Sequence, residues 1–409
     1  MKPRRSVLFA SLIIIYLLVE GLSFLCLLLL AKVRHLHYDP NPSSLSHIQK
    51  TALSNFLKRG KGENIGMDPT LGWVTAPPAA NLAGMRDDRE YPIAPPAGII
   101  RISAFGDSFT YGQDVSPADS WEKQMTAASP SLQVLNYGVG AYGLDQAYLR
   151  YLKLGADYHP NIVFIGFMSE NIARDVNVFR GFYTNMYRDT IFTKPRFQVQ
   201  DGQLVLLRNP LSTMEDYKNF LDNDRAVLAE LGKRDYHYQV NYSPGRFDFS
   251  PSVRLVKMFW AELKQHTLVH PIFKPNGEYD EASEAYLVTV KIFDAFHQKV
   301  LDNGAVPVIL VFPDLNDQFR SRQGKSRRYT PLLNYFRSKR YQFIDAMDAL
   351  KPYESRYSVS DLSSLKWGHY TPLGNRIIAK YILTDLRERG LVAPSKPNQA
   401  ALAERKSRR

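Results

Sequence analysis

The chain has very little cysteine: Cys26 is the single one among 409 residues, so no intramolecular disulfide can hold the fold. It also lacks the Cys-x-x-Cys and His-Glu-x-x-His spacings of common metal sites, and it has no helix-turn-helix, zinc-finger or RNA-binding signature. The sequence therefore predicts no metal, no cofactor and no nucleic-acid partner. What it does carry is a formal net charge of +12 with 44% apolar residues, which favours a globular core and acidic partners such as anionic glycans or lipid headgroups.

One long apolar run stands near the N-terminus. The run from Val7 to Ala31 has no Ala-x-Ala cleavage pattern and is long enough to span a bilayer as a helix, which predicts an uncleaved, single-pass anchor. The flanking basic residues are Lys2, Arg4 and Arg5 before the run and Lys32 and Arg34 after it. Their slight excess before the run predicts a cytoplasmic N-terminus, with the rest of the chain outside the cytoplasm, in the periplasm or cell envelope. Glu20 lies within the run, and we expect it either to contact a partner helix or to be neutral there.

An alternation of strands and helices begins at Ile99. The predicted strands are Ile99–Phe105, Leu132–Leu135, Ile162–Phe167, Val306–Phe312 and Tyr341–Ile344, with helical patterns such as Leu144–Leu154 and Tyr286–Asp302 between them. This alternation predicts a parallel sheet that helices cover on both faces. We expect an anchor over residues 1–35, a polar stalk over 36–96 with a short helix near Ser46–Leu57, a main domain over 97–392 and a basic, disordered tail over 393–409.

Residues 175–251 interrupt the alternation and are predicted to form an insertion beside the functional edge of the sheet. Asp201-Gly202 between the alternating runs of Phe197–Leu206 predicts a hairpin. The aromatic residues of the insertion are Phe179, Phe182, Tyr183, Tyr187, Phe192, Phe197, Tyr236, Tyr238 and Tyr242. They are interpreted as a small satellite core, with stacking on sugar rings as the alternative.

Basic residues also cluster between Gln318 and Tyr341, where no acidic residue occurs. The cluster consists of Arg320, Arg322, Lys325, Arg327, Arg328, Arg337, Lys339 and Arg340. It is interpreted as a solvated basic face, with a site for an anionic substrate or headgroup as the alternative.

Four short motifs carry the candidate chemistry. They are Gly106-Asp107-Ser108-Phe109, Asn136 to Gly143, Gly166 to Asn171, and Gly368 to Asn375. The first three follow predicted strands, at the edge where open α/β sheets bind their ligands, and the fourth stands at the start of the predicted last helix. Taken singly, they have plain structural interpretations as turns, a helix cap and a structural histidine. Their joint order along the chain favours one site.

This set resembles the motifs of the SGNH, or GDSL, hydrolases over roughly Ile99 to Leu386, the insertion excepted. The resemblance implies a flavodoxin-like three-layer α/β/α domain with a five-stranded parallel sheet, and ester hydrolysis or acyl transfer through an acyl-serine. It implies that Ser108 is the nucleophile and that His369 is its general base and later the acid for the leaving alcohol. The implied oxyanion donors are the N–H of Ser108, the N–H of Gly140 or Ala141, and the amide of Asn171, with Ser169 as a substitute.

The chain departs from the family pattern at the third catalytic residue. The family has an aspartate three residues before the histidine, and this chain has Lys366 there. Asp361 is a candidate from further back in the sequence. The alternative is a dyad of Ser108 and His369 in which a backbone carbonyl orients the imidazole.

We therefore predict a membrane-anchored serine esterase that removes O-acyl groups, acetyl above all, from an envelope carbohydrate. The predicted substrate is an acylated carbohydrate or a lipid ester. One alternative is an O-acyltransferase that uses the same acyl-serine together with an integral-membrane partner. The other is a non-catalytic glycan-binding or envelope-assembly protein on the same scaffold, because a fold alone does not establish an activity.

Overall fold

The structure is a computed structural model that describes residues 5–34, 36–60, 65–183, 190–267 and 270–393. The strands are β1 Ile65–Asp68, β2 Gly72–Thr75, β3 Ile100–Phe105, β4 Leu132–Asn136, β5 Ile162–Met168, β6 Arg196–Gln200, β7 Gln203–Leu207, β8 Val306–Phe312 and β9 Phe343–Asp345. The α-helices are α1 Arg5–Leu29, α2 His47–Arg59, α3 Ser108–Tyr111, α4 Trp121–Ala128, α5 Leu144–Leu154, α6 Asn171–Arg174, α7 Met214–Asp222, α8 Asp224–Gly232, α9 Tyr236–Val240, α10 Pro251–Thr267, α11 Glu284–Asp302, α12 Leu315–Arg322, α13 Thr330–Lys339, α14 Ala346–Leu350, α15 Val359–Leu362 and α16 Pro372–Glu388. A π-helical segment, Leu30–Arg34, continues α1, and single 3-10 turns cover Pro117–Asp119, Arg180–Phe182 and Lys351–Tyr353. The predicted tail from residue 394 onward and Tyr187 lie outside the described residues.

The chain divides into two compact units. The N-terminal unit comprises Met1–Gly60, Val176–Thr193 and Pro210–Pro271, and the sheet-containing unit comprises Lys61–Asp175, Lys194–Asn209 and Ile272–Arg409. This division differs from the predicted one in two places. The predicted stalk from Lys61 onward belongs to the unit that contains the sheet, and so does the hairpin of the insertion.

The sheet-containing unit has the predicted five-stranded parallel sheet, in the order β4-β3-β5-β8-β9. Ile102 pairs with Val134 of β4 on one side and with Ile162 of β5 on the other. Each of the five strands begins and ends within two residues of its prediction, and α5 matches its prediction at both ends. The parallel α/β fold class is confirmed.

Helices cover both faces of this sheet because its strands are apolar on both sides. On one face, Ile102, Phe164 and Leu310 are buried in a core that also contains side chains of α4, α14 and α16. On the other face, Phe167 packs against Phe293 of α11 with ring centroids 5.5 Å apart, and Phe105 packs against Tyr151 of α5 at 5.5 Å. The result is a three-layer α/β/α arrangement.

The aromatic residues of the insertion mostly form a core within the N-terminal unit. The ring of Phe56 in α2 lies 5.1 Å from Phe192 and 5.7 Å from Tyr217, and Phe179 lies 5.7 Å from Phe220. This agrees with the satellite-core interpretation.

The predicted hairpin is confirmed within the sheet-containing unit. Its strands β6 and β7 pair antiparallel around Asp201-Gly202, whose φ angles of 51° and 74° are those of the tight turn that this dipeptide predicts.

Within the described residues, Val7–Arg34 is the one helical stretch long and apolar enough to cross a membrane by length and composition. The carboxylate of Glu20 does have a helix partner, and it lies within the same chain. Glu20 accepts hydrogen bonds from the hydroxyls of Ser250 and Ser252, at 2.8 and 2.6 Å, at the start of α10.

Candidate active site

Ser108 is the first residue of α3, directly after the turn that ends β3. The preceding residue, Asp107, caps this short helix by accepting a hydrogen bond of 2.9 Å from the N–H of Phe109. Ser108 is buried except for 6% of its surface, and its hydroxyl makes no hydrogen bond with any residue that the structure describes. The hydroxyl is therefore available to a ligand or a base.

The turn that carries Ser108 is pressed against the ends of the neighbouring strands. A Cβ on Gly138 would lie 2.3 Å from the backbone N of Tyr111, and one on Gly106 would lie 2.0 Å from the hydroxyl of Thr110. The side chain of Asn136, at the end of β4, donates to the carbonyl of Thr110 at 3.0 Å and accepts from the N–H of Gly138 at 2.9 Å. These contacts fix the position of α3.

His369 lies on a short loop immediately before α16. The N–H of Ser364 donates to the His369 carbonyl at 2.8 Å, and the N–H of Gly368 donates to the Ser364 carbonyl at 2.8 Å. Gly368 adopts a φ of 83°, which favours glycine. The imidazole packs against the ring of Phe109, with centroids 5.4 Å apart, so the loop brings His369 to the helix that begins at Ser108. Nε2 of His369 makes no hydrogen bond with any described residue.

The carboxylate that meets His369 belongs to Asp114. Its Oδ2 lies 2.7 Å from Nδ1 of the imidazole. From the sequence, Asp361 or a backbone carbonyl was a candidate for this role, and in the structure the Asp361 carboxylate lies at the start of α15. The Asp361 carboxylate accepts hydrogen bonds from the backbone and hydroxyl of Ser358, at 2.8 and 2.7 Å, and so closes the capping box of α15.

Sequence reasoning missed Asp114 because the family pattern directs attention to the residues just before the histidine. Two signals in the sequence could have indicated it. Lys366 occupies the expected acidic position, so the carboxylate had to come from elsewhere in the chain. Asp114 also stands two residues after Gly112, just beyond the Gly106–Phe109 motif that carries Ser108.

Arg86 holds the loop on which Asp114 stands. Its guanidinium donates to the carbonyls of Tyr111, Gly112 and Val115, at 2.7 Å for Gly112 and 2.6 Å for Val115, and lies 4.3 Å from the centre of the Tyr111 ring. The planar guanidinium thus donates hydrogen bonds to three backbone carbonyls, on both sides of Asp114. Arg86 comes from the predicted stalk, which therefore contributes to the site.

The predicted oxyanion donors have different surroundings. Asn171 is the first residue of α6, and neither its amide nitrogen nor its amide oxygen has a hydrogen-bond partner in the described chain, although it is 1% exposed. The N–H of Gly140 donates to no described acceptor, while its carbonyl accepts from the Trp73 indole at 3.0 Å. Ala141 has a φ of 63°.

The hydroxyl of Ser169 is engaged with Asp317 and Arg328, so the structure gives no support to Ser169 as a substitute donor.

Asp107 connects these groups electrostatically. Burial raises the pKa of its carboxyl, while the positive charge of Arg174, the N–H of Phe109 and the nearby Asn171 amide lower it. Arg174 approaches the Asp107 carboxylate at 3.5 Å. Asp107, Asn171 and Arg174 therefore lie close enough to influence one another at the start of α3.

The basic cluster between Gln318 and Tyr341 is largely occupied within the chain. Arg327 pairs with Asp345 and Asp348, and Arg328 pairs with Asp314 and Asp317. Arg320 and Arg322 donate to backbone carbonyls. These contacts favour a structural role for the four arginines over an anion site.

No protein-family model and no curated protein sequence matches the chain. Among solved structures, the chain is similar to a G-D-S-L family protein described as lipolytic from Desulfitobacterium hafniense, with 13% identity, 69% of this chain and 98% of that one covered, and a TM-score of 0.35. It is similar to a lipase/acylhydrolase from Enterococcus faecalis at 13% identity, with coverage of 73% and 100% and a TM-score of 0.34. It is also similar to an acetyl xylan esterase from Geobacillus stearothermophilus at 10% identity, with coverage of 71% and 96% and a TM-score of 0.36. At such identities and TM-scores, function has to be argued from the chain's own residues.

Glu122, in α4, is a buried carboxyl whose protonation makes the stability of the fold depend on pH. Burial raises the pKa of its carboxyl to about 8, while a hydrogen bond from its own backbone and the positive charge of Arg86 lower it. The folded state therefore holds a proton that the unfolded chain releases near its ordinary pKa of 4.5, so stability falls as pH rises from about 4.5 to about 8. We expect Glu122→Gln to be more stable than the parent near pH 9 and to show a flatter pH dependence.

The measurement is the urea midpoint of the full chain in detergent, taken at about pH 5, 7 and 9. Glu388→Gln, an exposed change in α16, is the matched control and should follow the parent. Parallel pH profiles for the parent and Glu122→Gln would contradict the prediction.

Proposed function

We propose that the chain is a membrane-anchored serine esterase that removes O-acyl groups, acetyl in particular, from an envelope carbohydrate. The observation that carries the proposal is the 2.7 Å contact between Asp114 and Nδ1 of His369, beside the helix that begins at Ser108. A carboxylate at Nδ1 orients the imidazole and fixes its tautomer, which leaves Nε2 as the basic nitrogen. Such an oriented pair favours a catalytic protein over a non-catalytic scaffold.

The proposed reaction proceeds through an acyl-serine. The Ser108 hydroxyl attacks the ester carbonyl as its proton passes to Nε2 of His369, and Asp114 stabilises the imidazolium that forms. His369 then protonates the leaving sugar hydroxyl. In the second half, water attacks the acyl-serine with its proton taken by the same nitrogen, and Ser108 recovers its own proton when the acid leaves. In apo enzymes the serine–histidine hydrogen bond is often long and tightens only with substrate, which accords with its absence among the described contacts.

The tetrahedral oxyanion would receive the N–H of Ser108, the N–H of Gly140 or Ala141, and the amide of Asn171. Asn171 supports this assignment because a buried amide without partners costs about 1–3 kcal/mol, a cost that a donor kept open for the transition state would explain. Both hydrolysis and acyl transfer to a second sugar would use these residues. They differ in whether water or a hydroxyl takes the acyl group from Ser108.

Replacement of the nucleophile gives the central test. We expect Ser108→Ala to lower the turnover of p-nitrophenyl acetate by a factor on the order of 10⁴–10⁶, because the acyl-enzyme can no longer form. It should also lose labelling by a fluorophosphonate probe and acetate release from an O-acetylated polysaccharide. Ser116→Ala removes an exposed hydroxyl from the same loop and should keep all three activities. Retained hydrolysis in Ser108→Ala would sink the mechanism.

The third catalytic residue can be tested with two isosteric changes. We expect Asp114→Asn to lower kcat on the order of 10²–10⁴-fold, because an amide cannot hold the imidazole in the required tautomer or stabilise the imidazolium. Asp361→Asn should leave kcat nearly unchanged, because its carboxylate caps α15. The steady-state kinetics of both variants on p-nitrophenyl acetate decide the matter. An equal or larger loss in Asp361→Asn, with folding intact, would return the role to Asp361.

The proposed location is outside the cytoplasm, with α1 left in the membrane. The support is the length and composition of Val7–Arg34 and the slight excess of basic residues before it. We expect an alkaline phosphatase fused after Arg409 to be active and a green fluorescent protein at the same position to be dark. The reverse pattern would place the domain in the cytoplasm.

A further inference from the structure

Helix α10 in the N-terminal unit exposes apolar side chains along one face. Val256, Phe259, Trp260 and Leu263 recur at helical spacing, and the first three are 66%, 68% and 61% exposed. Just before the helix, Phe247 and Phe249 are 61% and 70% exposed. A contiguous surface of this kind in a folded protein indicates an interaction site.

The basic side chains of the same helix are turned to partners within the unit. Lys257 contacts Asp248 at 2.5 Å and the carbonyl of Ser243 at 3.0 Å. Arg254 donates to the carbonyl of Asp248, and Lys264 donates to the carbonyl of Gln239. The cationic side chains of α10 are therefore paired within the unit, and its apolar face is exposed. A helix that faces water shows the reverse, with charged side chains in solvent and apolar side chains packed inside.

Helix α10 runs beside the apolar helix α1 in the same direction. Its first residues meet Glu20, because Ser252 also donates its N–H to the Glu20 carboxylate at 3.2 Å. Further along, Leu255, Met258 and Phe259 line a cavity of about 470 Å³ together with Leu30. Residue 252 of α10 thus meets residue 20 of α1, and Leu30, about 15 Å further along, lines the same cavity as residues one to two turns further along α10.

The position of Glu20 in the apolar run fixes the depth of this contact. A hydrocarbon core of about 30 Å requires about 20 helical residues. Every stretch of that length within Val7–Ala31 contains Glu20, so Glu20 lies at hydrocarbon depth in any placement of α1 across a membrane. Its three hydrogen bonds to Ser250 and Ser252 satisfy a carboxylate that would otherwise be costly there.

We propose that α10 and the preceding segment with Phe247 and Phe249 are inserted beside α1 into the leaflet on the side of the folded units. The occupant of the exposed apolar face is lipid acyl chains. The first turn of α10 reaches the depth of Glu20, and Trp260 lies near the level of Leu30, toward the end of the apolar run, where aromatic side chains favour the membrane–water interface. This inference rests on the proposed role of α1 as a membrane anchor. It adds that the N-terminal unit is partly embedded and not tethered in water.

Site-specific fluorescence in membranes tests the proposal on the full chain. Cys26→Ser provides a cysteine-free background, because Cys26 is the single cysteine. Single cysteines replace Phe249, Val256 or Phe259, and each is labelled with the environment-sensitive dye NBD in vesicles of phosphatidylcholine and phosphatidylglycerol. We expect lipids with a doxyl group on the acyl chain to quench these labels strongly and aqueous iodide to leave them almost unchanged.

Two further positions serve as controls. Lys218, an exposed residue of α7 in the same unit, should respond to iodide and not to doxyl lipid when labelled as Lys218→Cys. Leu17→Cys reports on α1 itself and should respond to doxyl lipid. If the α10 labels behave like position 218 while position 17 responds to lipid, the anchor stands and the insertion of α10 is refuted. If position 17 also responds to iodide, the anchor fails as well. Labels on α10 that neither quencher reaches would show that another protein surface, such as a second copy, covers this face, which also overturns the proposal.

Discussion

The turn after β3 can touch the ends of both neighbouring strands only because glycine stands at the points of contact. A Cβ on Gly138, after β4, would lie 2.3 Å from the backbone N of Tyr111, and one on Gly166, in β5, would lie 2.0 Å from the Thr110 hydroxyl. With glycine there, α3 sits against β4, and Asn136 closes the contact with hydrogen bonds to the carbonyl of Thr110 and the N–H of Gly138. The positions of Ser108 and Asp114 depend on this packing of α3, because Ser108 begins α3 and Asp114 stands on the loop that follows it.

The site combines buried charge with groups left unpaired. Asp107, the residue before Ser108, is fully buried, and the approach of Arg174 offsets only part of the cost of its charge. Asn171 has no such compensation among the described residues. An apolar residue at that position would avoid the cost of an unpaired buried amide, so the presence of Asn171 accords with a role in the proposed chemistry.

The sequence predicted the sheet well because buried parallel strands are long apolar runs, and β8 was placed at both of its ends for this reason. The hairpin could be predicted equally well, because Asp201-Gly202 specifies its turn locally. The role of Asp114 could not be predicted from the sequence, because its partner His369 is brought to it by the whole fold and not by local spacing. The predicted stalk was also misleading. Its polar, proline-containing composition resembles a linker, yet Trp73 and Arg86 from this stretch hydrogen-bond to the loops around the site.

The contact between Asp114 and His369 joins residues 255 positions apart in the chain. Ser108 is synthesised early, whereas the imidazole arrives only with the last helix of the sheet-containing unit. A nascent or truncated chain that stops before Gly368 therefore has the serine without its base. Competence for the proposed reaction is thus coupled to completion of the chain, and partly made or degraded molecules carry an inert hydroxyl.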